Sequence, residues 1–298
     1  MLDTVFLSGG WVSMFKKLLP FIATGLLSSP FQANADLATY YDYDGSCAYD
    51  GFFMGVSGGV ANTYGKLAGG ARAEFVDAIR GLDNTLTLDD NSRVSTNQAT
   101  GGFTLGYSSV LCDWLYLGGE LGAFYVPGHL SDSFDSNTQM KFEGEGTFDA
   151  SLRMNVRSSL RKWEWTADFT PGVVVCDTFL LYGRIGYAAN RAQFTADTEF
   201  HYFDTERNHA RFFSPLTGHK KKGGVRVGGG ISHYICENVS LNANYVLTFY
   251  GKVEDFDPRA KLKAIQGFEL DNFSNNATAW LKRQSFLLGL NYYFGSMF

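Results

Sequence analysis

Apolar and polar side chains alternate with a period of two along eight separate runs of this chain. In the third run, Leu115, Leu117 and Leu121 share one face, while Glu120 and Gly122 share the other. Side chains of a β-strand point alternately to its two faces, so each run predicts a strand with one apolar and one polar face. The eight predicted strands cover residues 51–64, 100–111, 114–127, 162–175, 179–195, 223–235, 239–253 and 281–294.

The connections between these strands fall into two length classes. Tight turns join the second strand to the third, the fourth to the fifth and the sixth to the seventh. The other four connections are long and polar, at about 65–99, 128–161, 196–222 and 254–280. Short turns at one end and long loops at the other are typical of an up-and-down transmembrane barrel. We therefore predict an all-β, eight-stranded antiparallel barrel, with ten strands as a variant because residues 148–157 also partly alternate.

The overall composition fits such a barrel. The chain has 34 glycines, only 6 prolines and 16% aromatic residues. In lipid a sheet must close on itself to pair its backbone groups, and its outward face must be apolar. A soluble lipocalin-like barrel would instead be apolar inside. The net charge of −5 argues against a nucleic-acid partner.

The first residues have the pattern of an export signal. Lys16 and Lys17 precede an apolar run, and Ala33-Asn34-Ala35 supplies a small-x-small cleavage site. We expect residues 1–35 to be absent from the mature protein, with Met14 as the true start and cleavage after Ala35. Residues 36–50 are then a periplasmic leader, and residues 51–298 form the barrel in the outer membrane of a Gram-negative bacterium.

Two strand segments and the last strand carry a resemblance to a known family. The segments read LLYGRIGY at 180–187 and GFFMGVSGG at 51–59. They resemble the OmpA-like and opacity-type family of small outer-membrane barrels. Tyr292, Phe294 and Phe298 also resemble the carboxy-terminal signal that the barrel-assembly machinery of such proteins reads. The resemblance implies a structural, surface-exposed or adhesion-type role rather than an enzymatic one.

The polar faces of the predicted strands bring charged residues into the barrel interior. Charges in a narrow lumen are costly unless they pair, so we expect an ion-pair network that plugs the barrel. A narrow water-filled pore, as in a small porin-like channel, is the alternative. The six predicted lumen residues are Glu120, Glu164, Asp168, Arg184, Arg226 and Arg283.

Four cysteines fall at the predicted periplasmic rim, three of them in the pattern aliphatic, Cys, acid. The periplasm is oxidising, so disulfides are candidates. Bonds between protein molecules, or no bond at all, remain open. The residues are Cys47, Cys112, Cys176 and Cys236.

The predicted loops offer binding groups but no catalytic centre. Lys220, Lys221 and Lys222 lie where they can contact lipopolysaccharide phosphates at the outer rim. His129 and Ser131 resemble the pair of a lipid-modifying barrel enzyme, but a nucleophile also needs an orienting third group. We expect no metal and no cofactor. The expected partners are outer-membrane lipid and lipopolysaccharide, the barrel-assembly machinery and host or cell-surface ligands of the long loops.

Overall fold

The computed structural model describes residues 49–77, 82–142, 146–175, 178–203, 209–236, 238–257 and 268–294. The predicted signal peptide, the leader up to residue 48, Cys47, Cys176 and Phe298 lie outside these residues. Within the described residues, no helix is long and apolar enough to cross a membrane. The strands are β1 (Gly51–Asp77), β2 (Leu82–Leu111), β3 (Leu115–Tyr125), β4 (His129–Phe142), β5 (Gly146–Leu160), β6 (Trp163–Val175), β7 (Phe179–Phe203), β8 (His209–Cys236), β9 (Val239–Asp257) and β10 (Phe268–Tyr293).

Eight of these strands form a closed antiparallel ring. The order around the ring is β1, β2, β3, β6, β7, β8, β9 and β10, and β10 pairs back onto β1. This ring confirms the predicted fold class. We call the end with the tight turns the turn end, and the opposite end the hairpin end.

The hairpin end corrects the prediction of long loops. The segment predicted as a loop at 65–99 continues β1 and begins β2, which pair without interruption up to Asp77 and Leu82. Much of 196–222 and 254–280 likewise extends β7, β8, β9 and β10. These extensions still alternate with period two, but their outward face is polar. Averaged along the chain, the composition of these segments is as polar as that of a loop, which is why the prediction of long loops is wrong.

β4 and β5 prolong the β3–β6 hairpin rather than adding strands to the ring. The strand is interrupted around Pro127, between the end of β3 at Tyr125 and the start of β4 at His129, and β4 continues in the direction of β3. The backbone N–H of Val126 still donates to the carbonyl of Lys162 at 2.6 Å, so the two halves of the hairpin stay in register. The described residues thus contain ten strands, but the ring has eight, so the ten-stranded variant of the barrel is wrong.

At the hairpin end the wall of the ring separates into two facing sheets. One contains the extensions of β2, β1, β10 and β9, and the other contains β4, β5, β7 and β8. Among the described residues, β4 pairs with β5 alone, and β8 pairs with β9 from Val225 and Phe249 toward the turn end. We call this pair of sheets the sandwich.

The sandwich has its own apolar core. A Cβ on Gly69 of β1 would lie 2.8 Å from the Met154 sulfur of β5, so the small residue lets the sheets approach. The core draws from both sheets and includes Leu67, Ala71, Leu88, Leu130, Phe134, Leu152, Met154, Val156, Phe194, Phe200, Val253 and Leu281, all buried. Toward the turn end the arrangement is reversed, with charged side chains inside the ring and apolar side chains on its exterior.

Around the ring itself the exterior is apolar. Large hydrophobic side chains are exposed on every strand of the ring, and we call this surface the belt. Aromatic residues mark its edges, as at Trp114, Tyr125 and Trp163. Its members include Phe52, Met54, Val56, Phe103, Leu105, Leu121, Trp165, Phe169, Leu181, Ile185, Tyr187, Val225, Ile231, Leu241, Phe249, Leu288 and Leu290.

Candidate functional site

The structure brings the six predicted lumen residues together in one layer. Their side chains are at most 9% exposed. The carboxylates come from two neighbouring strands, with Glu120 on β3 and both Glu164 and Asp168 on β6. The guanidinium groups come from three others, with Arg184 on β7, Arg226 on β8 and Arg283 on β10.

Opposite charges alternate through this layer. Arg184 pairs with Glu120 and also lies 3.0 Å from Asp168. Arg226 continues the sequence, with its guanidinium 3.3 Å from the same Asp168 carboxylate and 3.9 Å from Glu164. Each buried charge therefore has a neighbour of opposite sign, which is the condition for tolerating it in a dry interior.

The last pair of the layer crosses the whole lumen. Arg283 donates to Glu164, and the Tyr250 hydroxyl donates to the other oxygen of the same carboxylate. β6 and β10 stand four strands apart in the eight-stranded ring, so they face each other across it. The charged layer therefore spans the barrel from wall to wall.

The position of Arg184 follows from the strand register. Glu120 and Asp168 lie directly opposite each other on β3 and β6. Like charges at such positions destabilise a sheet. Arg184 contacts both carboxylates and removes this conflict.

A second layer, which strand periodicity does not predict, closes the turn end, and we call it the tyrosine layer. Tyr49 is fully buried, and its hydroxyl donates to the carbonyl oxygens of Thr178 at 2.9 Å and Ser232 at 3.1 Å. Its ring packs edge-on against Tyr234 and Tyr293, with centroids 4.5 and 5.8 Å apart. Tyr49 precedes β1, so no strand periodicity pointed to it. The layer also contains Phe53, Tyr116, Leu180 and Tyr182.

Further apolar layers lie between the charged layer and the hairpin end. Phe124, Val126 and Leu287 form a small buried cluster, and the sandwich core follows. A cavity of about 10 Å³ lies at the base of the sandwich, beside Gln98, His129 and Ser158. This volume corresponds to about one water molecule.

Two of the four predicted rim cysteines lie within the described residues. Cys112 and Cys236 are exposed and are not bonded to each other. Cys112 and Asp113 adopt left-handed backbone conformations, with φ of 53° and 62°, in the turn between β2 and β3. Any pairing with Cys47 or Cys176 lies outside the described residues.

The three predicted lipid-contacting lysines have two different environments. The amines of Lys220 and Lys222 on β8 donate to the backbone carbonyl oxygens of Glu254 and Lys252 on β9. At this level the backbones of β8 and β9 no longer pair. Lys221 is exposed on the exterior. Hydrogen bonding from Lys252, reinforced by the charges of the neighbouring lysines, lowers the pKa of the Glu254 carboxyl.

The structure does not assemble a catalytic group from His129, Ser131 and the adjacent Asp132. These residues lie on β4, where alternate side chains point to opposite faces, so Asp132 points away from the other two. The Asp132 carboxylate accepts the backbone N–H of Ser133 at 2.8 Å instead. No group of metal-ligating residues forms among the residues that the structure describes.

Two of the predicted assembly-signal residues lie together at the turn end. Tyr292 and Phe294 are 44% and 43% exposed and pack edge-on, with ring centroids 5.2 Å apart. The backbone N–H of Phe294 donates to the Phe52 carbonyl at 2.9 Å, which joins the end of β10 to β1. Phe298 lies outside the described residues.

Comparisons with known proteins return structures but no sequence family. No protein-family model and no curated protein matches the sequence. The outer membrane protein OprG from Pseudomonas aeruginosa is 13% identical over 86% of this chain and 100% of its own, with a TM-score of 0.40. Neisserial surface protein A is 14% identical over 78% of this chain and 97% of its own, with a TM-score of 0.29.

The attachment invasion locus protein of Yersinia pestis, solved with the heparin analogue sucrose octasulfate, is also similar. It is 12% identical over 76% of this chain and 98% of its own, with a TM-score of 0.25. Because these TM-scores are below 0.5, the role of the present chain has to be derived from its own residues.

Proposed function

We propose that this chain is an integral outer-membrane barrel with a sealed lumen, which holds the sandwich at the cell surface as a structural or adhesion-type element. The inversion of polarity along the strands carries this proposal. On β7, Leu181 and Ile185 face outward beside the buried Arg184, whereas farther along Arg191 faces outward beside the buried Phe194. One strand thus suits two solvents, lipid around the ring and water around the sandwich.

The belt supports the membrane location. Monomeric soluble proteins rarely expose an apolar patch of more than a few hundred Å², and this belt continues around all eight strands of the ring. Closure of the ring lets the backbone N–H and C=O groups of every strand pair with a neighbour, which is necessary in a bilayer because lipid offers no hydrogen-bond partners. Assignment to the OmpA-like and opacity-type family, and entry through the barrel-assembly machinery, remain part of this proposal.

The stacked interior layers favour a sealed barrel over a porin-like channel. A channel needs a continuous water path, whereas the tyrosine layer, the charged layer and the sandwich core follow one another along the lumen. Eight strands leave just enough interior for side chains. A lipid-modifying activity is disfavoured because His129 and Asp132 lie on opposite faces of β4.

The sandwich supplies the surface for recognition. Its outward faces carry polar and charged side chains, such as Gln193 and Arg153, while its apolar core fixes their spacing. Partners at the cell surface would contact these outward faces. We therefore place any host or cell-surface ligand on the sandwich and none in the lumen.

The membrane location is tested by fractionation and by gel migration. We expect the protein to sediment with outer membranes and to migrate differently before and after boiling, because a folded barrel resists detergent. A boiled sample supplies the unfolded reference. Recovery in the soluble periplasmic fraction, with no heat-dependent shift, would contradict the proposal.

The sealed lumen is tested in planar bilayers. We expect the refolded wild-type protein to insert without producing stable conductance steps, because the three layers block the water path. A known porin in the same bilayer serves as the positive control. Reproducible unitary steps from the wild-type protein would favour the channel.

A further inference from the structure

Basic side chains line the boundary between the belt and the sandwich. In the sheet formed by β2, β1, β10 and β9, Lys66 of β1 lies directly opposite Arg93 of β2 on one side and Trp280 of β10 on the other. Trp280 in turn lies opposite Lys252 of β9. These strands thus present one row of side chains across the sheet. The lysine amines of Lys66 and Lys252 lie 5.7 and 5.4 Å from the centre of the Trp280 ring.

A second row continues on the other sheet. Lys221 of β8 lies opposite Arg191 of β7. The backbone N–H of Arg161 donates to the Arg191 carbonyl at 2.8 Å, which brings Arg161 next in the row. All three side chains are exposed. We call the six basic residues of the two rows the girdle.

The girdle lies beyond the belt, toward the hairpin end. On β1, β2, β7, β8 and β9, the girdle residue is the first charged side chain on the exterior face beyond the belt. All of them are basic, although acids outnumber basic residues 30 to 25 in the whole chain. Trp280, Trp163 and Tyr125 are exposed near the same level, and such aromatic side chains favour the headgroup region of a bilayer.

The Trp280 ring stabilises Lys66 and Lys252, but the alignment still sets like charges against each other. Two like-charged pairs, Lys66 with Arg93 and Arg191 with Lys221, lie directly opposite each other, which destabilises a sheet. Among the described residues, the girdle's ion pair is that of Lys252 with Glu254. An external anion at this level would relieve the repulsion.

We propose that the girdle binds the phosphate groups of outer-leaflet lipid, which in an outer membrane is lipopolysaccharide. This inference rests on the proposed membrane location and extends the lysine contact predicted at 220–222 to both sheets. Lipid is favoured over a soluble polyanion because the girdle follows the perimeter of the belt and does not form a patch on the sandwich. Lysine and arginine both bind phosphate, and arginine does so through two parallel hydrogen bonds.

The test compares lipids and two matched double variants. Refolded protein in uncharged detergent is titrated with phosphorylated lipid A and with enzymatically dephosphorylated lipid A, and bound lipid is counted by native mass spectrometry. The girdle variant combines Arg93→Gln and Arg191→Gln. The control variant combines Arg72→Gln and Arg153→Gln, which remove the same charge from exposed arginines of the sandwich that are paired with Glu74 and Asp135.

We expect the wild-type protein to bind the phosphorylated lipid at least tenfold more tightly. The girdle variant should lose about twenty-five-fold in affinity, about fivefold for each of the two charges removed near a lipid surface. The control variant should change affinity by less than twofold. Millimolar inorganic phosphate should not displace the lipid.

Three results would overturn the girdle proposal. They are equal binding of the dephosphorylated lipid, equal loss in the control variant, or displacement by inorganic phosphate at low concentration. Heat-dependent gel migration and insertion into uncharged vesicles are measured on the same samples. If the wild-type protein fails to insert, the proposed membrane location fails; if it inserts without lipid preference, only the girdle proposal fails.

Discussion

Glu164 is the residue on which the cross-barrel part of the charged layer depends. Its carboxylate accepts hydrogen bonds from Arg283 and Tyr250 and lies 3.9 Å from the Arg226 guanidinium. Removing one partner of a buried pair is strongly destabilising, because the remaining charge stays in the interior without compensation. Glu164 is fully buried, and its removal leaves Arg283 without its carboxylate partner, whereas Arg226 keeps Asp168.

Replacement of Glu164 should therefore cost more than replacement of the pair. We expect Glu164→Gln to lower the free energy of unfolding in lipid vesicles by about 3–5 kcal/mol, measured by denaturant titration. The double variant Glu164→Gln with Arg283→Met should recover part of this loss, because it also removes the stranded charge. Additive effects of the two single changes would mean that the residues do not interact.

At the scale of the element, β9 contains a bulge that decides which side chains face the core. Up to Tyr250 the even-numbered residues of β9 point inward; beyond Gly251, Val253 points inward and Lys252 outward. The register against β10 shifts between Leu281 and Lys282 at this point. The extra residue therefore keeps Tyr250 in the charged layer and Lys252 in the girdle.

Gly251 allows the bulge because its φ is +74°, and a Cβ there would meet no atom within 4 Å. We expect Gly251→Ala to destabilise the barrel by about 1–2 kcal/mol through backbone strain alone. Gly119 is the matched control, because a Cβ there also meets nothing within 4 Å and its φ is not in the left-handed region. An equal loss for Gly119→Ala, in the same denaturant titration, would rule out strain as the cause.

At the scale of the whole molecule, the same strands have a different exterior and a different interior at the two ends. The ring faces lipid on its outer side and encloses charge, while the sandwich faces water and encloses an apolar core. Tyr49 and its aromatic neighbours close the turn end below both. Closure of the lumen is thus distributed over several independent layers.

Loss of a single layer should therefore leave the barrel closed. We expect Tyr49→Ala to insert into planar bilayers without stable conductance steps, because the charged layer and the sandwich core still block the path. Its heat-dependent gel migration, compared with the wild type, controls for folding. Stable steps from this variant alone would mean that the tyrosine layer is the barrel's only seal.

The sequence by itself determined the features that have a local period. Alternation along single strands placed Leu181 and Ile185 outside and Arg184 inside, and the three tight turns indicated an antiparallel meander. The same reasoning selected the six lumen charges, because each sits on a polar face within a predicted strand. These conclusions need no knowledge of which strands meet across the lumen.

The tertiary structure alone decided what depends on closure and on the solvent. Closure of the ring placed Arg283 opposite Glu164, which no spacing in the chain encodes. The solvent decided the rest, since a strand with a polar outward face in water has the composition of a loop, as along β4 and β5. Alternation tells which side chains share a face, but whether that face meets lipid, water or the opposite sheet is fixed only when the strands are assembled.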